Sequence, residues 1–122
     1  MPRRTHDGVE FELPIEIEDR VARRRGVIRY VCRDSESRLV QISELTSPKR
    51  DPGVTWFQLD RMSAILDGFE QGLCVPPIEI HRHPQTMQVL VRDGLHRYYL
   101  AVAAGLTEVP CREYKYFNIR DA

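Results

Sequence analysis

The spacing of hydrophobic residues near the beginning of the chain predicts a polar end followed by one short helix. Residues 1–8 are mostly polar, so we expect them to be frayed. Within residues 14–25, Ile17 and Val21 are four positions apart, and Gly26 follows as a typical helix stop. The segment ends in consecutive arginines, which suit the negative end of a helix dipole. We therefore predict a helix over residues 14–25.

Strand-like segments and a loop follow this helix. Residues 27–32 and 38–42 are rich in β-branched and other apolar side chains, and they flank a polar turn. This pattern predicts two short strands on either side of the turn. Residues 46–53 contain two prolines and a glycine, which predicts a loop.

Helical periodicity is clearest in the middle of the chain. Four hydrophobic residues recur there at helical spacing, namely Leu59, Met62, Leu66 and Phe69. Gly72 stands where a C-terminal glycine belongs, and two prolines soon afterwards prevent the helix from continuing. The pattern predicts a helix that ends at Gly72.

Alternating patterns in the last third of the chain predict strands around one more helix. Ile78 and Ile80 alternate with polar residues, and a second alternating set consists of Met87, Val89 and Val91. Together they predict a β-hairpin with one buried face. One face of a helix is then marked by Leu95, Tyr99, Val102 and Leu106, and Gly105 closes this helix. Residues 109–114 predict a last strand, so helices and strands mix without a regular βαβ rhythm and indicate an α+β fold with a mixed sheet.

The length of the chain indicates one soluble domain. Its net charge indicates no general attraction to polyanions such as DNA. A chain of 122 residues is too short for a second independent core. Eighteen basic and eighteen acidic residues cancel, so DNA binding would need a local patch, such as the arginines at positions 23–25. Their position at a predicted helix end already explains them. No segment is apolar enough for a secretory signal or a bilayer crossing, so we expect no membrane partner.

The three cysteines are odd in number and show no CxxC spacing. We therefore expect reduced thiols and a cytoplasmic location. Cys74 and Cys111 are expected to be buried structural thiols. No feature of the sequence indicates an oligomeric state.

A metal site is the weaker explanation for a set of polar residues in the predicted hairpin. Glu79, His81 and His83 alternate, and a His-x-His pair beside a carboxylate can bind zinc. The same residues are what the solvated face of a half-buried strand requires. We therefore predict no metal site there.

The start of the last predicted helix is the strongest candidate for chemistry, and it reads Asp93-Gly94-Leu95-His96-Arg97. A helix N-terminus offers amides without an intrahelical acceptor and a partial positive charge. His96 and Arg97 add cations where acidic side chains normally gather, which indicates a bound anion such as a phosphate. Gly94 lets that anion approach the backbone. In the alternative interpretation Arg97 pairs with Asp93 and His96 caps the helix.

The order of motifs around this segment resembles the ParB and sulfiredoxin-like superfamily. The resemblance is carried by residues 40–50, 75–80, 93–101 and 103–111, and it covers about residues 39–114. It implies a ParB/sulfiredoxin-like α+β fold in which a mixed sheet and packed helices form a single domain over residues 39–122. Residues 1–38 have no counterpart and are an N-terminal extension of uncertain role.

The resemblance also implies a nucleotide site that takes ATP, ADP or CTP. In the superfamily the phosphates rest on the matching helix N-terminus, here Gly94, His96 and Arg97. Lys49 and Arg50 match a loop that adds phosphate contacts. Asp93 resembles the acid of other members, including an ADP-dependent serine kinase, where it could hold Mg²⁺ or accept a hydroxyl proton.

The sequence differs from members of the superfamily in two ways that limit the predicted function. Sulfiredoxins carry a reactive cysteine where this chain has Leu95, so repair of sulfinic acids is not expected. ParB proteins add a helix-turn-helix domain, for which this chain is too short. The resulting hypothesis is a nucleotide-binding domain that performs phosphoryl transfer or nucleotide hydrolysis. The alternative is a non-catalytic module, nucleotide-gated or DNA-associated, from a plasmid or other mobile element.

Overall fold

The computed structural model, which describes residues 3–24, 26–49 and 56–116, contains two sheets and three α-helices within those ranges. The helices are α1 (Ile15–Arg24), α2 (Leu59–Gln71) and α3 (Leu95–Ala103). The strands are β1 (Arg4–His6), β2 (Val9–Phe11), β3 (Arg38–Gln41), β4 (Leu45–Thr46), β5 (Ile78–Arg82), β6 (Val89–Asp93) and β7 (Glu108–Tyr114). A short 3₁₀ helix, Ile42–Glu44, joins β3 to β4.

The larger sheet has five strands in the order β3-β7-β5-β6-β4. Strand β7 runs antiparallel to β3 and parallel to β5, while β6 runs antiparallel to β5 and parallel to β4. The predicted mixed sheet, the α+β class and the hairpin of β5 and β6 are therefore confirmed. Because α3 follows β6 directly and leads to β7, its N-terminus lies at the end of an inner strand.

One hydrophobic core joins the helices to one face of this sheet. Its fully buried members include Met62, Leu66, Phe69, Ile78, Ile80, Tyr98, Tyr99, Leu100, Val109 and Cys111. The segment before residue 39 contributes Phe11, Ile17 and Val21 to the same core. None of the helices in the described ranges is long and apolar enough to cross a membrane.

The helix predictions hold because each helix has both a buried stripe and a stop. Helix α1 agrees with the prediction through Arg24, and Arg25 lies outside the described residues. Helix α2 ends at Gly72, whose φ of 68° is left-handed and whose amide donates to the carbonyl of Gly68. Helix α3 ends earlier than its pattern indicated, so Leu106 lies beyond it but still packs against the core.

The N-terminal residues differ from their prediction. Residues 3–8 are not frayed, since β1 and β2 pair antiparallel from Arg4 to Phe11. Asp7 and Gly8 make the turn between them with φ values of 51° and 76°. Burial of Val9 and Phe11 gives this hairpin an apolar face, which the polar first eight residues did not reveal.

The strand predicted at residues 27–32 is wrong, whereas the one predicted at 38–42 is confirmed as β3. The only bridge of residues 27–32 in the described chain is an isolated parallel one between Val31 and Cys74, and β3 pairs with β7. The segment packs along the end of α2, where the amide of Arg29 donates to the carbonyl of Phe69 at 3.2 Å. Burial of Ile28 explains the apolar pattern without a strand.

Two further residues depart from their predictions. Met87 lies outside β6 because its φ of 62° is left-handed, which ends the alternation that begins at Val89. Cys74 is exposed rather than buried, whereas Cys111 is buried as predicted.

Candidate functional site

Gly94 turns the chain from β6 directly into α3. Its φ of 118° and ψ of 30° are accessible to glycine and strained for other residues. The amide of Tyr98 donates to the carbonyl of Gly94 at 2.8 Å and closes the first helical turn. No side chain caps this helix, and its first turn contains no acidic residue. The amides of Leu95 and Arg97 therefore lack an intrahelical acceptor, as in anion-binding helix N-termini.

Two cavities flank this helix start. The first, of about 350 Å³, lies between α2 and α3 and has a mainly apolar wall formed by Ala64, Ile65, Val75 and Pro76, with Arg61 also lining it. The second, of about 220 Å³, is basic and is lined by Pro48, Lys49, Val91 and Arg92. Asp93, Gly94 and Leu95 line both cavities. Each cavity is lined by two basic side chains and by Asp93, but only the first has a mainly apolar wall, and the two are named here the apolar cavity and the basic cavity.

The structure brings most of the predicted site residues together. Asp93, Gly94, His96 and Arg97 line the apolar cavity, and Lys49 lines the basic one beside Asp93 and Gly94. Arg50 lies outside the described residues. A larger cavity of about 530 Å³ lies elsewhere, but its lining of Arg20, Arg23, Arg24 and Glu70 has no apolar wall for a nucleoside.

Arg97 has a structural role that the sequence did not indicate. Its Nη1 atom donates to the carbonyls of Pro76 and Pro77 at 3.1 and 2.5 Å, and its side chain is 15% exposed. Nη2 lies 3.4 Å from Asp93, whose carboxylate is 67% exposed, so this ion pair is weak. Arg97 therefore fixes the loop before β5 while it also lines the apolar cavity.

Tyr30 is a second part of this arrangement, and sequence reasoning missed it. Its hydroxyl donates to the carbonyl of Pro76, the same acceptor that Arg97 uses. Burial raises the pKa of Tyr30, and the neighbouring Arg97 opposes that shift only in part. The phenol thus stays protonated and holds the wall of the apolar cavity. Its segment had the pattern of a strand, which gave no signal for such a contact.

His96 joins the start of α3 to the start of α2. The ring is 5% exposed and packs edge-on against Phe57, with 5.7 Å between the ring centroids. Its Nε2 atom accepts a hydrogen bond from the amide of Gln58, which caps α2, at 3.1 Å. A nitrogen that accepts carries no proton, so in this arrangement His96 is neutral rather than the cation that the sequence suggested.

The loop that carries Lys49 is held by two tyrosines of α3. The Tyr99 hydroxyl donates to the carbonyl of Pro48 at 2.7 Å, and the Tyr98 hydroxyl lies 2.8 Å from the Ser47 hydroxyl. Burial raises the pKa of both phenols, so both stay protonated. Lys49 itself is exposed. The backbone beneath it is thereby fixed while its side chain stays exposed at the basic cavity.

The N-terminal hairpin braces the same loop. His6 Nε2 lies 2.9 Å from the fully buried Tyr98 hydroxyl, and the Ser47 hydroxyl donates to Asp7 at 3.3 Å. The first residues of the chain therefore support one wall of the basic cavity.

The described residues contain no group of three or more His, Cys, Asp or Glu side chains that could hold a metal ion. His83 uses Nδ1 to accept from the amides of Gln85 and Thr86 at 3.2 Å, which makes it a turn residue. Asp93 is the register partner of Glu79 across β5 and β6, next to an irregularity in the pairing. Asp93 at the end of β6 lines both cavities, and Glu79 near the start of β5 is its neighbour across the hairpin.

His81 is expected to make the fold sensitive to acid. Burial, Arg92 and His83 lower its pKa, Tyr116 packs on its ring, and its buried Nδ1 has no hydrogen-bond partner among the described residues. Because the unfolded chain protonates His81 more readily than the folded chain, protonation favours unfolding. The contribution of neutral His81 to stability is therefore complete above the unfolded pKa of about 6.5 and is lost as pH falls below it. The melting temperature of His81→Gln should therefore fall less than that of wild type between pH 7 and pH 5. Equal falls in the two proteins would contradict this expectation.

Comparisons with known proteins bear on the fold. No protein-family model and no curated protein matches the chain. Among the solved structures that match is the C-terminally truncated chromosome-partitioning protein ParB from Caulobacter crescentus complexed with CTP-γ-S. Its TM-score is 0.53 at 23% identity, over 68% of this chain and 46% of that chain.

Two other solved structures are similar to this chain in fold. Sulfiredoxin from Arabidopsis thaliana has a TM-score of 0.50 at 17% identity, over 65% of this chain and 86% of that chain. A conserved hypothetical protein from Pyrococcus furiosus has a TM-score of 0.53 at 18% identity, over 72% of this chain and 36% of that chain. This chain thus spans less than half of the ParB and Pyrococcus chains. It is a single small α+β domain, and it has the same fold as the ParB and sulfiredoxin structures.

Proposed function

We propose that the chain binds a nucleoside phosphate at the start of α3. The observation that carries this proposal is the pair of cavities, one apolar and one basic, that meet at Asp93, Gly94 and Leu95. A nucleotide has a similar two-part chemistry, since the flat aromatic faces of its base suit an apolar wall and its phosphates are anionic. A cavity of about 350 Å³ is within the usual size of small-ligand sites. The ParB neighbour that contains CTP-γ-S supports the choice of ligand class.

In this proposal the base and the ribose bind in the apolar cavity, and the phosphates bind in the basic cavity. Ala64, Ile65 and Val75 offer apolar surface to the base and the ribose. On the other side, Lys49 and Arg92 bring positive charge to the phosphates beside the amides at the helix start. Gly94 allows close approach, while His96 and Arg97 fix the two helices and the loop that form the walls.

Asp93 is the proposed partner of a magnesium ion that arrives with the nucleotide. Its carboxylate is exposed at the boundary of the two cavities, and Glu79 is its partner in the neighbouring strand. Mg²⁺ is usually held by one or two carboxylates together with substrate phosphates rather than by a complete protein cage. The same carboxylate could accept a proton from a hydroxyl acceptor if the bound nucleotide reacts.

Lys49→Ala should weaken nucleotide binding about tenfold, because one charge-assisted contact contributes roughly 1.5 kcal/mol. Stability should be unchanged, since the side chain is exposed. Calorimetry with ATP, ADP and CTP, with and without Mg²⁺, measures both the preference and the loss. The chain's other lysine, Lys115, is exposed and lines neither cavity, so Lys115→Ala is the matched control. Failure of wild type to bind all three nucleotides, or equal losses in both variants, would refute the proposal.

Release of inorganic phosphate or of a nucleoside diphosphate separates the two functional classes. Turnover that Asp93→Asn abolishes while binding persists supports phosphoryl transfer or hydrolysis. Binding without turnover supports the non-catalytic, nucleotide-gated module.

A further inference from the structure

The hairpin of β1 and β2 belongs to residues 1–38, the segment whose role the sequence left open. It is anchored to two helices. Arg4 donates to both carboxylate oxygens of Glu18 in α1 at 2.7 to 3.0 Å, and Glu18 is only 9% exposed. The buried ring of Phe11 packs against Tyr99 of α3, with 4.5 Å between the ring centroids. These anchors fix the hairpin so that its turn reaches α3 and the neighbouring loop.

Four polar side chains join this turn to the loop that carries Lys49. His6 Nε2 lies 2.9 Å from the Tyr98 hydroxyl, which lies 2.8 Å from the Ser47 hydroxyl. The Ser47 hydroxyl also lies 3.3 Å from the Asp7 carboxylate. Tyr98 is fully buried and Ser47 is 5% exposed, so water has little access to the two hydroxyls in the middle.

One arrangement of protons gives a donor to each of these three contacts. An ionised carboxylate only accepts, so the Ser47 hydroxyl gives its single proton to Asp7. Tyr98 must then donate to Ser47, because each hydroxyl has one proton to give. The third contact therefore needs an N–H donor, which is Nε2 of His6. The three hydrogen bonds thus run in one direction, from His6 through both hydroxyls to Asp7.

We propose that Asp7 and His6 are positioning residues for phosphate binding and that they act on Lys49 through this chain of hydrogen bonds. The inference rests on the proposed function, in which Lys49 contacts the phosphates. Ser47 precedes Lys49 by two residues, so the chain fixes the backbone from which the lysine extends. A fixed backbone lowers the ordering cost when the ammonium group meets a phosphate. The hairpin therefore raises nucleotide affinity without touching the ligand.

The tautomer of His6 tests the direction of the hydrogen bonds in wild type and without nucleotide. Long-range proton–nitrogen NMR spectra are recorded at about pH 8, well above the ordinary histidine pKa of about 6.5. We expect His6 to carry a proton on Nε2, and its signals are identified by their loss in His6→Gln. His96 is the internal contrast, because its Nε2 accepts from the amide of Gln58 and its proton must be on Nδ1. A His6 ring without a proton on Nε2 would overturn the proposal.

The pair Asp7→Gly and Asp7→Asn tests the positioning. Asp7 has a φ of 51°, which both replacements tolerate, and its side chain is exposed, so both variants should fold. Both remove the same charge, but only asparagine keeps an oxygen that accepts from Ser47. Asp7→Gly should therefore bind the nucleotide that wild type prefers about fivefold more weakly than Asp7→Asn does. Calorimetry measures the difference.

The same pair in a Lys49→Ala background shows whether the effect passes through the lysine. With the ammonium group removed, the difference between the two Asp7 variants should disappear. A difference of the same size with and without Lys49, or equal affinities in the presence of Lys49, would overturn the proposal while the proposed function stands. Failure of wild type to bind ATP, ADP and CTP would refute the proposed function and the positioning role together.

Discussion

Gly94→Ala is expected to destabilise the fold by about 2 to 3 kcal/mol and to abolish nucleotide binding. A φ of 118° is strained for any residue with a side chain. The new Cβ would only come into van der Waals contact with the fully buried Ile78, at 3.4 Å, so the cost lies in the backbone conformation. Relief of this strain must rotate the peptide that begins α3 and redirect the first-turn amides. Thermal melts should fall by about 10 °C.

Gly72→Ala is the matched control for this substitution. Gly72 also has a positive φ, but at 68° it lies in the ordinary left-handed region, and a Cβ added there would meet no described atom within 4 Å beyond its chain neighbours. It caps α2 and lines neither of the two cavities. We expect a cost of about 1 kcal/mol with nucleotide affinity unchanged. Equal melting temperatures for the two variants would show that the geometry at Gly94 has no special importance.

The parts of the fold that the sequence predicted correctly are those in which local pattern and tertiary burial agree. Helix α2 has a continuous apolar stripe and a glycine stop, and β5 has strict alternation between Ile78 and Ile80. In both, the period of the sequence is the period of the buried face. The start of α3 could be located for the same reason, since the alternation of a strand ends before Gly94 and the helical spacing of apolar residues begins after it.

The errors fall where an apolar segment is buried by distant residues. Residues 27–32 have the composition of a strand, but their neighbours are the end of α2 and the loop at Cys74, more than forty positions later. Backbone donors there find carbonyl acceptors such as that of Phe69 without a strand partner. Local propensity does not encode such long-range pairing.

The candidate site likewise has one part that the sequence indicated and another that it did not. Its residues from the start of α3 could be named from the sequence, because helix N-termini have a local signature. Their partners could not, since the contacts of Arg97 to Pro76 and Pro77 and of His96 to Gln58 span 20 to 38 positions. The apolar wall from Ala64 and Ile65 had no signal either, because helical periodicity identifies the core-facing stripe and not the rim of a cavity.

These contacts change what Arg97 is expected to do. The sequence suggested a cation that contacts a phosphate at the helix start or, in the alternative interpretation, pairs with Asp93. In the structure its guanidinium is mostly buried against two backbone carbonyls, and Asp93 is too exposed to become a costly unpaired carboxylate. Arg97 is therefore expected to affect both the stability of the fold and the binding of the ligand. A single substitution at Arg97 would not separate the two effects.

Arg97→Ala should lower the free energy of unfolding by about 1.5 to 3 kcal/mol, because the carbonyls of Pro76 and Pro77 lose a charged donor. Nucleotide affinity should fall about ten- to a hundredfold, since the same loop forms the wall of the apolar cavity. Urea unfolding and calorimetry with the preferred nucleotide measure the two effects. An unchanged unfolding curve would contradict the structural role.

Arg61→Ala supplies the comparison that Arg97→Ala needs. Arg61 lines the same cavity, but it is exposed and makes no hydrogen bond or ion pair with any described residue. Its removal should leave the unfolding curve unchanged and still weaken nucleotide binding several-fold, because its side chain lines the cavity proposed for the base and the ribose. If Arg61→Ala binds normally while Arg97→Ala loses both properties, the cavity between α2 and α3 does not hold the ligand. The loss in Arg97→Ala would then reflect only a loosened loop, and the basic cavity at Lys49 would remain as the place for the phosphates.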